Sequence, residues 1–249
     1  MSLQKIWNEL FDPKRMKCLS CNCQIESSFG WIDILYEKGT ENLCGKCKNK
    51  LEKLKGELCQ CCGRELYRLN EEHYQDGKCL DCIRWGQNNQ NFLDGNLSLF
   101  QYNDFMKDLI SRIKYRGDYK LMEIFASFLK KEMIECYKNG EYVIVPIPLS
   151  DMRHFERGFN QAEAFGKVCG FNMTNVLTRI HSEKQSKKSR SARLRTEQVF
   201  RMELTDLVGK KVLLLDDIYT TGTTLQHASQ VLKVQGGVKE VWSLTIARS

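Results

Sequence analysis

The chain of 249 residues has no apolar run approaching the roughly 18 residues that a membrane-spanning helix needs, so sequence gives no span. Met1 to Asp12 carries acids and lacks a cleavable apolar core, so no secretion signal is expected and the chain is placed in the cytoplasm. No G-x-x-x-x-G-K-[ST] loop and no G-x-G-x-x-G fingerprint occurs, which removes the usual nucleotide-binding readings. What remains is a globular composition, with 42% hydrophobic residues, long enough for one ordinary domain and a smaller appendage.

Cysteine is abundant and clustered. Ten of the twelve cysteines lie between Cys18 and Cys82, mostly in pairs separated by two residues. In a reducing compartment that spacing points to metal, not to disulfides. Four pairs stand out: Cys18 with Cys21, Cys44 with Cys47, Cys59 with Cys62, and Cys79 with Cys82. Each supplies two thiolates, so two closed tetrahedral Zn²⁺ sites follow by count. The later quartet has sixteen residues between its pairs, within the zinc-ribbon range, while the earlier has twenty-two and fits less tightly. Cys23 and Cys61 sit beside knuckles and could replace a neighbour, and sequence does not exclude a cross-braced pairing of first with third and second with fourth. A redox role for one pair is the plain competitor, but four pairs without a thioredoxin-like context argue against it. Metal binding worth on the order of 10 kcal/mol would fold a segment with too little core of its own. The reading is a zinc-binding cysteine-rich module over 1–92 and an α/β domain over 93–249. Trp31, Tyr36, Tyr67, Tyr74 and Trp85 stand among basic residues there; they could stack single-stranded bases or simply cover the small core.

The second half alternates strand and helix patterns. Strands are expected at Gly95 to Tyr102, Tyr142 to Pro146, Val176 to Leu177, Lys211 to Leu215 and Glu240 to Ala247. Helices are expected at Asp104 to Tyr115, Tyr119 to Tyr137, Phe159 to Cys169 and Thr224 to Val234. Such alternation gives a mainly parallel sheet flanked by helices, with ligands at the carboxyl ends of the strands.

The most informative string is Val212-Leu213-Leu214-Leu215-Asp216-Asp217-Ile218-Tyr219-Thr220-Thr221-Gly222-Thr223-Thr224. Four apolar residues fit a strand buried on both faces, and a helix follows. Unpaired amides before a helix N-terminus, Thr220, Thr221, Thr223 and Thr224 hydroxyls, and Gly222 for close approach make a seat for a monoester phosphate. Asp216 and Asp217, the candidate catalytic pair, would repel that phosphate, so they accept hydrogen bonds from sugar hydroxyls or hold a hydrated cation. Phosphate on one side and diol on the other describe a ribose 5-phosphate. An ordinary capped turn needs one Thr, not two acids and four threonines.

Beyond Val145-Pro146-Ile147-Pro148-Leu149-Ser150 come Arg153 and Arg157, placed to bind pyrophosphate oxygens bidentately as a leaving group gains charge. Arginine at a helix start is otherwise electrostatically misplaced. Arg179 to Arg195 holds seven Lys or Arg against one Glu, and its Lys184-Gln185-Ser186-Lys187-Lys188 stretch with Arg193 reads as a basic flap that closes over a diphosphate and excludes water. Lys114, Arg116 and Asp118 form a further polar cluster for which exposed loop residues are an adequate account.

The thirteen-residue string resembles the phosphoribosyl pyrophosphate (PRPP) motif of type I phosphoribosyltransferases. Together with the cysteine pairs, VPIPLS…RGFNQA and KQSKK, it resembles the ComF family along nearly the full chain. The resemblance implies a zinc finger joined to a type I phosphoribosyltransferase-like domain, PRPP bound with Mg²⁺, and a cytoplasmic role in natural transformation. It also implies single-stranded DNA as a ligand and a DNA-translocating competence helicase (ComFA-like) as a partner. The rival reading is an active phosphoribosyltransferase that moves ribose 5-phosphate from PRPP to an acceptor; another is a DNA-handling protein that only senses PRPP. The chain departs from the family pattern at Glu183 or Lys184 and at Thr196.

Overall fold

The computed structural model describes residues 17–25, 42–126, 128, 142–180, 198–203 and 206–249. The cysteine-rich part forms only short pieces: α1 (Gly45–Lys48), 3₁₀ turns at Leu66–Arg68 and Glu71–His73, β1 (Tyr74–Gln75), β2 (Lys78–Cys79) and α2 (Leu80–Gln87). β1 and β2 form an antiparallel hairpin, and its turn carries Asp76 and Gly77 at positive φ.

Then come β3 (Gly95–Gln101), α3 (Asp104–Arg116), a 3₁₀ turn at Tyr119–Met122, β4 (Tyr142–Pro146), α4 (Asp151–Arg157) and α5 (Gln161–Val168). β5 (Leu177–Arg179), β6 (Phe200–Met202), β7 (Lys211–Tyr219), α6 (Thr223–Val234) and β8 (Glu240–Arg248) complete the order. The central sheet has the order β3-β8-β7-β4, and every pairing in it is parallel. The fold is thus α/β, a parallel sheet flanked by helices.

Local chemistry sets the helices. In α3 the Asn103 side chain accepts from the Met106 amide at 2.9 Å, and Gly117 ends the helix with φ 69°. Met106, Leu109, Ile110 and Ile113 are its buried residues, the i, i+3, i+4, i+7 stripe of an amphipathic helix. Ser150 caps α4, a short helix absent from the sequence reading, and Gly158 closes it at φ 75°. Asn160 caps α5 and ties its start to β4 by donating to the Ile147 carbonyl at 3.0 Å.

Two departures bear on the site. The strand expected near Val176 is Leu177–Arg179, and it pairs antiparallel with β6 in a separate ribbon instead of joining the central sheet. β7 continues past Leu215 to Tyr219, because β8 pairs with it as far as Tyr219 opposite Arg248. β4 pairs with β7 only as far as Pro146 opposite Leu215. The last link between them is the Ile147 amide donating to the Leu215 carbonyl at 2.9 Å, and beyond it the acidic pair on β7 stands at an open edge.

The two faces of the sheet gather different cysteines. Leu213 and Leu215 pack in one cluster with α3, α5 and Cys18, Cys44 and Cys47. Val212 and Leu214 pack in the other with α6, β6 and Cys59, Cys62, Cys79 and Cys82. Alternate residues of one strand thus face different cysteine groups. The edge of β3 is capped as well, by the antiparallel bridge of Lys53 with Phe100. No helix is long and apolar enough to cross a membrane among the described residues.

Candidate functional site

A cleft of about 510 Å³ opens at the carboxyl ends of β4 and β7. Its walls bring together Arg153 and Arg157 of α4, Asp216 and Asp217 of β7, and the 220–224 loop leading into α6. These residues come from segments some sixty positions apart in sequence and meet where a parallel sheet presents its ligand edge. Lys184, with Arg193 and most of the basic run, lies outside the described residues; so do Trp31 and Tyr36.

The cleft is lined by four cations, Lys114, Arg153, Arg157 and Arg179, against the two carboxylates, a balance that favours an anionic guest. Arg157 is steered by its Nη1 donating to Gln161 Oε1 at 2.7 Å. Arg179 has its pKa lowered by burial and then by Arg153, while Asp216 opposes the shift. A crowded group of guanidinium ions is destabilised when empty and gains most from an arriving anion.

The two acids differ. Burial, followed by the charge of Asp217, pushes Asp216 up to about 7, although the Asp217 amide donates to Asp216 Oδ1 at 2.9 Å. Burial works to raise Asp217 too, but the Lys114 ammonium, paired with its Oδ2, holds it below the ordinary carboxylate range. Among the described residues no cation lies within ion-pair distance of Asp216. A hard cation carried in on a diphosphate fits that setting, since Mg²⁺ keeps its waters and uses one or two carboxylates with substrate oxygens.

The 220–224 loop depends on glycine for its backbone. Gly222 adopts φ 81° as the N-cap of α6, and a Cβ there would overlap the Tyr219 hydroxyl, so only glycine fits. The first-turn amides of α6 have no intrahelical acceptor, and the Thr221 and Thr223 hydroxyls are linked at 2.9 Å beside them. Residues 220–224 thus line the cleft with hydroxyls and helix-start amides.

The eight paired cysteines form two sequential tetrads, Cys18/Cys21/Cys44/Cys47 and Cys59/Cys62/Cys79/Cys82, with the sulfurs of each within 4.8 Å of one another. Cys21 and Cys44 Sγ are 3.7 Å apart, and so are Cys62 and Cys79 Sγ. A tetrahedron with Zn–S near 2.3 Å has edges of about 3.8 Å, whereas a disulfide needs about 2.05 Å. The donor sets therefore fit Zn²⁺. The second tetrad is wholly buried, and Cys59 Sγ accepts from the Cys79 amide at 3.3 Å, as thiolate sites do. Cys23 stands beside the first tetrad, its Sγ 3.3 Å from that of Cys21, and Cys61 is half-buried beside the second.

Sequence reasoning missed Lys114 and Arg179 as cleft residues. Lys114 is four positions after Ile110 and adjacent to Ile113, both buried, so helical spacing placed it on the margin of the core-facing stripe. Of its neighbours, Asp118 instead bonds Arg112 at 3.1 Å. Trp85 is buried and unavailable for stacking on bases, whereas Tyr67 is half exposed beneath the Arg68 guanidinium.

No family model matches the chain. It is 35% identical over 237 residues to the competence protein ComFC of Bacillus subtilis (strain 168), covering 94% of this chain and 96% of that one. The ComFC of Streptococcus pneumoniae is also 35% identical, over 94% of this chain and 100% of its own length. Among solved structures, a hypoxanthine phosphoribosyltransferase from Staphylococcus aureus aligns over 53% of this chain and 65% of its own at 17% identity, with a TM-score of 0.33 that carries no argument. Identity of 35% along nearly the whole length of two ComFC proteins decides kinship: the chain belongs to the ComF family of competence proteins.

Proposed function

We propose that this chain supports DNA uptake in natural transformation and that its cleft binds PRPP together with Mg²⁺. The observation that carries the reading is the convergence of the threonine loop, the acidic pair and the two arginines of α4 in one cavity. Thr220, Thr221, Gly222, Thr223 and Thr224 cradle the 5-phosphate, Asp216 and Asp217 grip the ribose hydroxyls, and Arg153 and Arg157 hold the diphosphate, joined by Lys184. Mg²⁺ supplies charge neutralisation at the diphosphate oxygens. Asp216 accepts from a hydroxyl in its ionised form, and Lys114 keeps Asp217 ionised for the same task.

The two tetrads each hold a structural Zn²⁺ in a module over 1–92, and the domain over 93–249 carries the cleft. The competence names of the relatives support the DNA-uptake role. In that role the partners are single-stranded DNA, drawn to the basic 179–195 run, and a DNA-translocating competence helicase, in the cytoplasm.

Calorimetry with PRPP and Mg²⁺ tests the assignment. The Asp216→Ala, Asp217→Ala double variant is expected to fold and to lose binding; unchanged affinity in the folded variant refutes it. Pyrophosphate release in the presence of candidate acceptors separates a binder from an active transferase.

A further inference from the structure

The threonine loop has two sides. One faces the cleft; the other faces a second hollow of about 440 Å³ lined by Arg64, Arg248, Thr220 and Thr221, next to the second cysteine tetrad. On that reverse side the last β7 carbonyl and the first two loop carbonyls are occupied, that of Tyr219 already by the Ser249 amide at 3.0 Å in the ladder with β8. Arg248 Nη1 donates to the Tyr219 carbonyl at 3.1 Å and to the Thr220 carbonyl at 2.9 Å. Arg64 Nη2 also reaches Thr220 O, at 3.4 Å. Trp85 Nε1, on α2, donates to the Thr221 carbonyl at 3.0 Å. The other end of the Arg248 guanidinium meets Cys62 Sγ at 3.2 Å.

In a trans peptide the carbonyl and the following amide point in opposite directions. Holding the carbonyls of Tyr219, Thr220 and Thr221 on the cysteine side therefore sends the amides of Thr220, Thr221 and Gly222 to the cleft side. Indole and guanidinium groups are donors without acceptor capacity, so neither can bond an amide that has turned round. Trp85 and Thr221 are buried, at 2% and 5% exposure, so water cannot cheaply replace the indole on the Thr221 carbonyl; Arg248 is buried too, but the Thr220 it holds borders the hollow. A loop next to a glycine at φ 81° is otherwise free to flip a peptide, which would aim a carbonyl oxygen at the phosphate.

We propose that Trp85 and Arg248 are positioning residues that fix the direction of the phosphate-binding amides, so that the second cysteine tetrad, through Cys62, belongs to the frame of the phosphate site. The proposal rests on the reading that this loop takes the 5-phosphate.

The test uses full-length zinc-loaded protein with two probes, ribose 5-phosphate for the loop and inorganic pyrophosphate for the arginines. Trp85→Phe keeps an aromatic ring but deletes the N–H along with the pyrrole half of the indole; Arg248→Lys keeps the charge. Each is expected to weaken ribose 5-phosphate roughly 3- to 10-fold, the effect of one hydrogen bond, and pyrophosphate by less than about 2-fold. In ligand-free protein the Thr221 and Gly222 amide resonances are expected to move and to exchange faster with solvent. Equal loss of both probes, loss of neither, or unmoved Thr221 and Gly222 amides in both variants overturns the proposal. If wild-type protein ignores ribose 5-phosphate, the functional reading falls by itself, and the amide measurement still decides whether the loop is held as described.

Discussion

Lys114 on α3 and Asp217 on β7 form an ion pair at the floor of the cleft, with side-chain exposures of only 16% and 14%. Removing one partner leaves the other charge buried without compensation. Lys114→Met is expected to cost about 3–5 kcal/mol of stability in urea titration. Adding Asp217→Asn should restore much of that loss, because the stranded charge is gone. Equal stability of Lys114→Met and wild type would show that the pair is solvated.

Asp216 gives the pH dependence. Its folded pKa, about 7, is raised by burial and by Asp217, so the folded state holds a proton that the unfolded chain has released. Stability is therefore expected to fall as pH rises from about 4 to about 7, by at most on the order of 4 kcal/mol, and to level off above. Asp217 works the other way: its pKa is lowered despite burial, so its contribution is present above the ordinary carboxyl pKa and lost on acidification. Thermal melting against pH should show the Asp216 slope flattened in Asp216→Asn. A slope identical to wild type contradicts the assignment.

Gly222→Ala combines an unfavourable backbone with an overlap. At φ 81° a non-glycine residue costs about 1–3 kcal/mol, and its Cβ meets the Tyr219 hydroxyl. The expected result is a lower melting temperature together with loss of ribose 5-phosphate binding. Retained binding at full stability would mean that the loop tolerates a side chain and is not a close-fitting cradle.

Metal analysis should give about two Zn per chain, and Cys47→Ser or Cys62→Ser should each remove one. The first tetrad packs with one face of the sheet and the second with the other, so chelation is expected to destabilise the whole fold and not the cysteine part alone. The readout is the melting transition after chelator treatment. A metal-free protein with an unchanged transition ends the zinc assignment.

Much of this protein could be read before any coordinates. β4 and the span of α3 follow from hydrophobic period and capping residues, and Thr223–Val234 is helical as its mixture of polar and apolar residues indicates. Local rules failed where a neighbour overrode them. The charged pair after Leu215 looks like the end of a strand, yet β8 runs alongside and carries β7 to Tyr219. Phe200–Met202 is too short to stand out, and it is a strand because Leu177–Arg179 lies opposite. The mixed character of Asp151–Arg157 hides a helix that a serine cap and a closing glycine define.

The amino-acid order alone determined the chemistry of the parts: paired thiols, two adjacent acids, a threonine-glycine turn and arginines after a proline-stiffened strand, all short-range patterns whose spacing carries their meaning. Only the tertiary structure decided what each part meets. Cys62 and Arg248 are 186 positions apart, and Trp85 lies 136 positions from Thr221, distances over which no periodicity speaks. Sheet pairing and packing brought them together, because donors buried in a core must find acceptors wherever the fold supplies them.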